Sequence, residues 1–169
     1  GATNMKSLYN FSDLLIKLGA YLSGFLIIVT TFMIFFEVIS RWLFNKPTIW
    51  ATELSIYAII GSCFFGSAYA VRTYSHITVD LLINNVNDRF KTLLAYLSNS
   101  LGLVFSLIFT YYGFHHVIKT FELGVTSASL LRVPMYLPEL ILPVGGVLLC
   151  LAFVLQIIDG GIHKGGEHI

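Results

Sequence analysis

The sequence predicts an all-α membrane protein of four transmembrane helices, and three observations carry that expectation. Hydrophobic residues make up 56% of the chain and charged residues only 11%, with a mean hydropathy of +0.80. A soluble domain carries about a quarter charged residues. The few charges punctuate long uncharged runs, and each run has a length suited to crossing a bilayer. About 20 helical residues span a hydrocarbon core of ~30 Å.

The first run lies between Lys17 and Glu37 and continues apolar to Phe44; the second lies between Glu53 and Arg72. The third is bounded by Lys91 and Lys119, the fourth by Glu139 and Asp159. The expected spans are 18–44, 53–72, 90–118 and 139–158, within one membrane domain over 5–159. The third is the longest, so it is expected to tilt or to project a turn beyond the interface. Residues 1–4 precede a Met and read as a tag remnant, while 160–169 are Gly- and His-rich and read as a flexible tail. The first run exceeds the apolar core of a signal peptide and lacks a small-x-small cleavage site, so it is expected to remain as an anchor.

Connectors carry their own signals. Pro47 forbids continuation of the first helix and biases Lys46 toward extended geometry. Asn87 is a candidate N-cap for the third span. Residues 120–138, with Gly124, Pro134 and Pro138, read as a partly ordered interfacial loop. Before the first span, Leu8, Phe11, Leu15 and Leu18 recur at helical spacing opposite Lys6, Asp13 and Lys17. That pattern fits an N-terminal amphipathic interfacial helix or an upward extension of the first span, and the spacing admits both. Lys6, Lys17, Arg72, Arg89, Lys91 and Lys164 fall on one side of an even-numbered bundle. Arg41, Lys46, Lys119 and Arg132 fall on the other, which favours cytoplasmic termini.

Two stripes of small residues run along the middle spans. The second span places Ala58, Ser62, Gly66 and Ala70 four residues apart, and the third does the same with Ser98, Gly102, Ser106 and Thr110. Such stripes let helices approach closely in lipid, so the two spans are expected to nest; a ligand channel is the other reading. Trp42, Trp50, Tyr111, Tyr112 and Tyr136 near span ends are expected to anchor depth at the headgroups.

Several chemistries find no support. A net charge of +1 without a basic run argues against nucleic acid. Cys63 and Cys150 lie far apart in apolar runs and read as small buried hydrophobes. His115 and His116 are adjacent and point in different directions, and His163 and His168 lie in the tail. No histidine pair suits axial haem ligation, so neither metal nor cofactor is expected. The chain also lacks GxSxG, HExxH and a phosphate-cradling Gly loop, so no enzyme activity is expected. Gly145 and Gly146, following Pro143, read as packing positions.

Polar residues gather instead at helix ends. Glu37 lies one turn before Arg41, and an intrahelical ion pair accounts for it; a pair with another chain and a proton-coupling carboxylate are the other readings. One end holds Arg41, Trp50 and Glu53, the other Arg72, His76 and Asp80. Glu53 opening the second helix and Arg72 closing it would both suit the helix dipole. Dipole matching leaves His76 and Asp80, beside Ile77, Val79 and Leu81, unexplained.

In their order and spacing, Arg41, Asn45, Pro47, Trp50 and Glu53, followed by Arg72, His76, Ile77, Val79 and Asp80, resemble a known family. It is the small membrane subunit (DctQ-like, Q subunit) of tripartite ATP-independent periplasmic (TRAP) transporters. The four-span layout, the length, Pro143-Val144-Gly145 opening the last helix and the loop from Ser129 to Pro134 are similar too. The resemblance covers nearly all of residues 7–158. It implies a bacterial inner-membrane system in which a periplasmic substrate-binding protein captures an organic acid of C4-dicarboxylate or sialic acid type. A large M-type membrane subunit then moves the acid by a sodium-driven elevator motion. The small subunit would scaffold the large one, with lipid around the rest. On that implication Arg41, Trp50 and Glu53 would sit where the large subunit or the binding protein is met. Arg72, His76 and Asp80 would form the matching cytoplasmic-side contact or lock their own loop. Two other classes remain: a self-sufficient proton-coupled exporter of the small multidrug type using Glu37, and a cytochrome or dehydrogenase anchor, which the histidine positions oppose.

Overall fold

A computed structural model describes residues 2–45, 47–83 and 88–159, leaving aside the side chains of 2–8, 74–83, 88 and 91. The helices are α1 (Ala2–Phe44), α2 (Ile49–Ile83), α3 (Asp88–Leu123), the single turn α4 (Tyr136–Glu139) and α5 (Ile141–Ile158). Among the described residues, four segments are long and apolar enough to cross a membrane: Tyr9–Phe44, Ile49–Thr73, Thr92–Leu123 and Tyr136–Ile158. Among the described residues there is no strand, and one isolated antiparallel bridge joins Thr126 and Pro134.

Each turn has a local cause. The Asn45 N–H donates to the Arg41 carbonyl at 3.1 Å with φ at 52°, so an asparagine in the left-handed region stops α1 just before Pro47. Gly124, at φ 61°, ends α3 in the same way. Asn87, the candidate N-cap of α3, lies outside the described residues. The N-terminal amphipathic segment is no separate helix: α1 continues through it without a break. Ser12 and Ile16 are buried there, so the segment packs on the bundle.

The buried positions of α1 are Ser12, Ile16, Gly19, Ser23, Thr30 and Glu37, with Leu26 and Met33 half-buried between them. Their alternating spacing of four and three is the seam of a left-handed helix pair. That seam packs on α2, whose Ser55 and Ser62 are buried against it. The Ser23 hydroxyl donates to the Ser62 carbonyl at 2.7 Å, and a Cβ at Gly66 would stand 2.8 Å from the Ser23 hydroxyl. A Cβ at Gly19 would come within 3.3 Å of the Phe65 carbonyl.

The expected nesting of the second and third spans does not occur. α2 and α3 scarcely touch, because α5 stands between them and packs on both. Gly145 turns toward Phe64 of α2, where an added Cβ would lie 2.6 Å away. Its neighbour Gly146 turns the other way and meets Thr110 of α3. Two consecutive glycines thus let one helix approach two others closely. The α3 stripe faces α5 at Gly102, against the Phe153 ring, and at Ser106, which accepts from Cys150 Sγ at 3.2 Å. Ser98 and Ala70, at the stripe ends, are exposed.

The cysteines are not the buried hydrophobes expected. Cys63 is exposed on α2, and Cys150 is half-buried between the hydroxyls of Ser106 and Thr110. Asn99 and Gln156 are buried polar residues on α3 and α5, the helix pair where amide side chains can act as glue in lipid.

Candidate partner-contact sites at the two helix ends

Two polar layers bound the bundle. The first is built on Arg72, whose side chain is 8% exposed. Its Nη1 donates to Asp159 at the end of α5, its Nη2 to the Tyr9 hydroxyl, and its Nε to Asp13 Oδ1 at 3.4 Å. The Tyr9 hydroxyl donates in turn to Asp159 Oδ2 at 3.0 Å, and Lys17 pairs with Asp13 Oδ2 at 3.0 Å. The guanidinium also lies 5.3 Å from the centre of the Tyr9 ring. One cation therefore ties α1, α2 and α5 together above a small core of Ile16, Ala68, Ala152 and Leu155.

This arrangement corrects the dipole explanation. α2 runs on to Ile83, so Arg72 is well inside the helix, and the dipole acts only within the last turn. Two carboxylates hold it instead. His76 and Asp80 belong to the same helix, but their side chains lie outside the described residues.

The second layer is built on Glu53, one turn inside the start of α2 and 9% exposed. Its Oε1 accepts from the Tyr57 hydroxyl at 2.7 Å and its Oε2 from the Ser129 hydroxyl. Ser129 belongs to a hairpin between α3 and α4. There the Ser127 N–H donates to the Val133 carbonyl at 2.8 Å, and the Met135 N–H donates to the Val125 carbonyl at 3.0 Å. The Ser129 hydroxyl also accepts the Leu131 N–H at 3.2 Å, so one side chain links the tip of the hairpin to α2. Ser129→Ala leaves the tip without this tie and is expected to speed hydrogen exchange across 124–135 severalfold. Unchanged exchange there would show that the backbone pairing alone holds the hairpin.

Beside Glu53 opens a cleft of about 530 Å³, lined among others by Glu37, Arg41, Ile49, Ile56, Tyr57 and Met135. Glu37 is buried, and its Oε1 meets Arg41 Nη2 at 2.5 Å, while the Arg41 side chain is 62% exposed. Trp50 lies against Phe36, ring centres 5.9 Å apart, and Glu37, Arg41, Ile49 and Glu53 line one cleft. Arg41, Trp50 and Glu53 therefore share one end, with Glu53 engaged by its own chain and Arg41 presented outward. Sequence reasoning missed Tyr57 and Ser129 as partners of Glu53, and Ser127, whose hydroxyl donates to that of Ser129 at 3.2 Å. It also missed His116, whose Nε2 lies 3.4 Å from Glu139 Oε1. Among the described residues no group of three His, Cys, Asp or Glu side chains could hold a metal ion.

Residues 30–160 match the family described as tripartite ATP-independent periplasmic transporters, DctQ component. The chain belongs to that family. It is a multi-pass membrane protein on the strength of that match and its four apolar helices. It is 33% identical over 117 residues to the C4-dicarboxylate TRAP transporter small permease protein DctQ of Rhodobacter capsulatus, covering 69% of this chain and 51% of that one. The sialic acid TRAP transporter small permease protein SiaQ of Vibrio cholerae is 26% identical over 117 residues, 66% of this chain and 62% of that one. A third similarity is to the sialic acid TRAP transporter permease protein SiaT of Haemophilus influenzae, 28% identical over 106 residues. That region is 63% of this chain but 17% of the Haemophilus protein, so there it belongs to a much longer polypeptide. The chain spans about half the length of the Rhodobacter relative. The match to the DctQ component takes in both polar layers, apart from the Tyr9, Asp13 and Lys17 side of the Arg72 cluster.

Proposed function

We propose that this chain is the non-catalytic small membrane subunit of a sodium-coupled TRAP transporter that takes up organic acids of C4-dicarboxylate or sialic acid type across the bacterial inner membrane. It scaffolds a large membrane subunit and helps dock a periplasmic substrate-binding protein, with both termini cytoplasmic. The observation that carries this reading is the placement of charge. Between the Arg72 layer and the Glu53 layer the four spans hold no Asp, Glu, Lys or Arg. A carrier that couples ions itself places such groups near mid-membrane, so substrate and ion sites belong on another subunit. The names of the relatives support the substrate classes.

Arg41, Trp50 and the α1–α2 side of the Glu53 cleft are the contact region for the partner proteins. Arg72 acts within its own chain to hold the shape of the scaffold, and His76 and Asp80 extend that end of α2 toward a cytoplasmic contact. The test is sodium-driven uptake of a C4-dicarboxylate and of sialic acid in liposomes holding the large subunit and binding protein, with and without this chain. Uptake is expected to fall to background when the chain is omitted, and unchanged uptake would refute the proposal. The exporter reading is met in the same assay: the chain alone is expected to move nothing, and Glu37→Gln to leave uptake by the full system within about a factor of two of the parent, because this carboxylate is paired with Arg41 on its own helix.

A further inference from the structure

The hairpin between α3 and α4 carries apolar side chains that its own chain leaves uncovered. Leu130 at its tip is 85% exposed, and Leu131, Leu123 and Leu137 around it are also exposed. A connecting loop normally runs through water, but the depth of this one is fixed by its bonds. Ser129 donates to Glu53, and Tyr57 reaches Met135 Sδ at 3.6 Å. Both α2 residues lie inside the start of that helix at Ile49, past Trp50. The hairpin therefore folds back along the flank of α2.

The two polar layers supply the scale. A helix rises about 1.5 Å per residue, so Glu53 and Arg72 stand about 28 Å apart along α2, close to the ~30 Å thickness of a hydrocarbon core. The Glu53 layer is then the boundary between acyl chains and headgroups, and the hairpin tip lies at that boundary. Ile118 and Phe121, in the last turns of α3, are exposed apolar residues as well. Arg132, two residues beyond Leu130, is exposed as well, with φ at 46°, at the level where a guanidinium meets lipid phosphate.

We propose that residues 124–135 form a hairpin set into the membrane interface, with Leu130 and Leu131 among the outer acyl segments and Arg132 at the phosphates. The occupant of this surface is lipid. The test places a nitroxide label at Leu130→Cys in a Cys63→Ala, Cys150→Ser background, with the chain alone in liposomes of equal parts phosphatidylcholine and phosphatidylglycerol. A second label at Leu131→Cys covers the case in which the first disturbs folding. The expected result is power saturation severalfold more sensitive to oxygen, which concentrates in lipid, than to a water-soluble nickel chelate. Greater sensitivity to the nickel chelate at both positions would overturn the proposal. Low sensitivity to both reagents, appearing only when a large TRAP membrane subunit is added, would overturn it in favour of a protein occupant.

Discussion

Arg72→Met is expected to lower the stability of the bundle by about 3 kcal/mol, read as a shift in the unfolding midpoint of the detergent-solubilised chain. Removing one member of a buried ion pair leaves its partner charged and uncompensated, which costs about 3–5 kcal/mol. The lower end applies because Asp13 and Asp159 keep side-chain exposures of 24% and 19%. Asp13 retains a cation in Lys17, whereas Asp159 loses the guanidinium charge and keeps the Tyr9 hydroxyl. Arg72→Met combined with Asp159→Asn is therefore expected to recover part of the loss, whereas adding Asp13→Asn recovers less. Equal midpoints for the parent and Arg72→Met would show that the cluster holds nothing together. This experiment reads the isolated chain, so it separates an internal role of Arg72 from any role in meeting a partner.

The second large effect is expected at Gly146→Val. Its Cβ would collide with Thr110 Oγ1 and stand 3.3 Å from the Thr110 Cα, which belongs to the backbone and cannot turn aside. α3 and α5 must then part, and overpacking of this kind costs about 1–3 kcal/mol. Gly24→Ala is the matching control, since nothing lies within 4 Å of the added carbon. It is expected to be neutral or to stabilise by up to about 1 kcal/mol through helix propensity. A cysteine cross-link between α3 and α5 that forms as readily in Gly146→Val as in the parent would show that the helices tolerate the bulk.

The four spans were legible because lipid demands long uncharged runs, and that demand is written directly into composition. The partners of the spans were not. Four-residue spacing identifies Ser62, Gly66, Gly102 and Ser106 as close-approach positions, but it says nothing about which helix arrives there. The signal for α5 was present in Gly145 and Gly146, whose missing side chains fall on opposite flanks of one helix. The seam of α1 was also readable: Ser12, Gly19, Ser23, Thr30 and Glu37 are small or polar residues in an otherwise bulky run, spaced by seven or by four. At the sites, Glu37 with Arg41 is local and could be read from an i,i+4 spacing. Glu53 with Ser129, and Arg72 with Asp13 and Asp159, join residues far apart in the chain. Only the fold brings those together.

The position of α5 between its neighbours sets an order of events during synthesis. Apolar helices are stable singly in lipid and associate afterwards, so α1 and α2 can close on Ser23 and Gly66 as soon as both are inserted. α3 then has almost no surface to join, because its seam at Gly102, Ser106 and Thr110 fits a helix that has not yet been made. The fourth span supplies the wedge, and Asp159 at its end supplies the second carboxylate for Arg72. A ribosome stalled before residue 141 would leave a helical pair and a solitary helix adrift from each other, with the packing of these four spans decided only by the fourth.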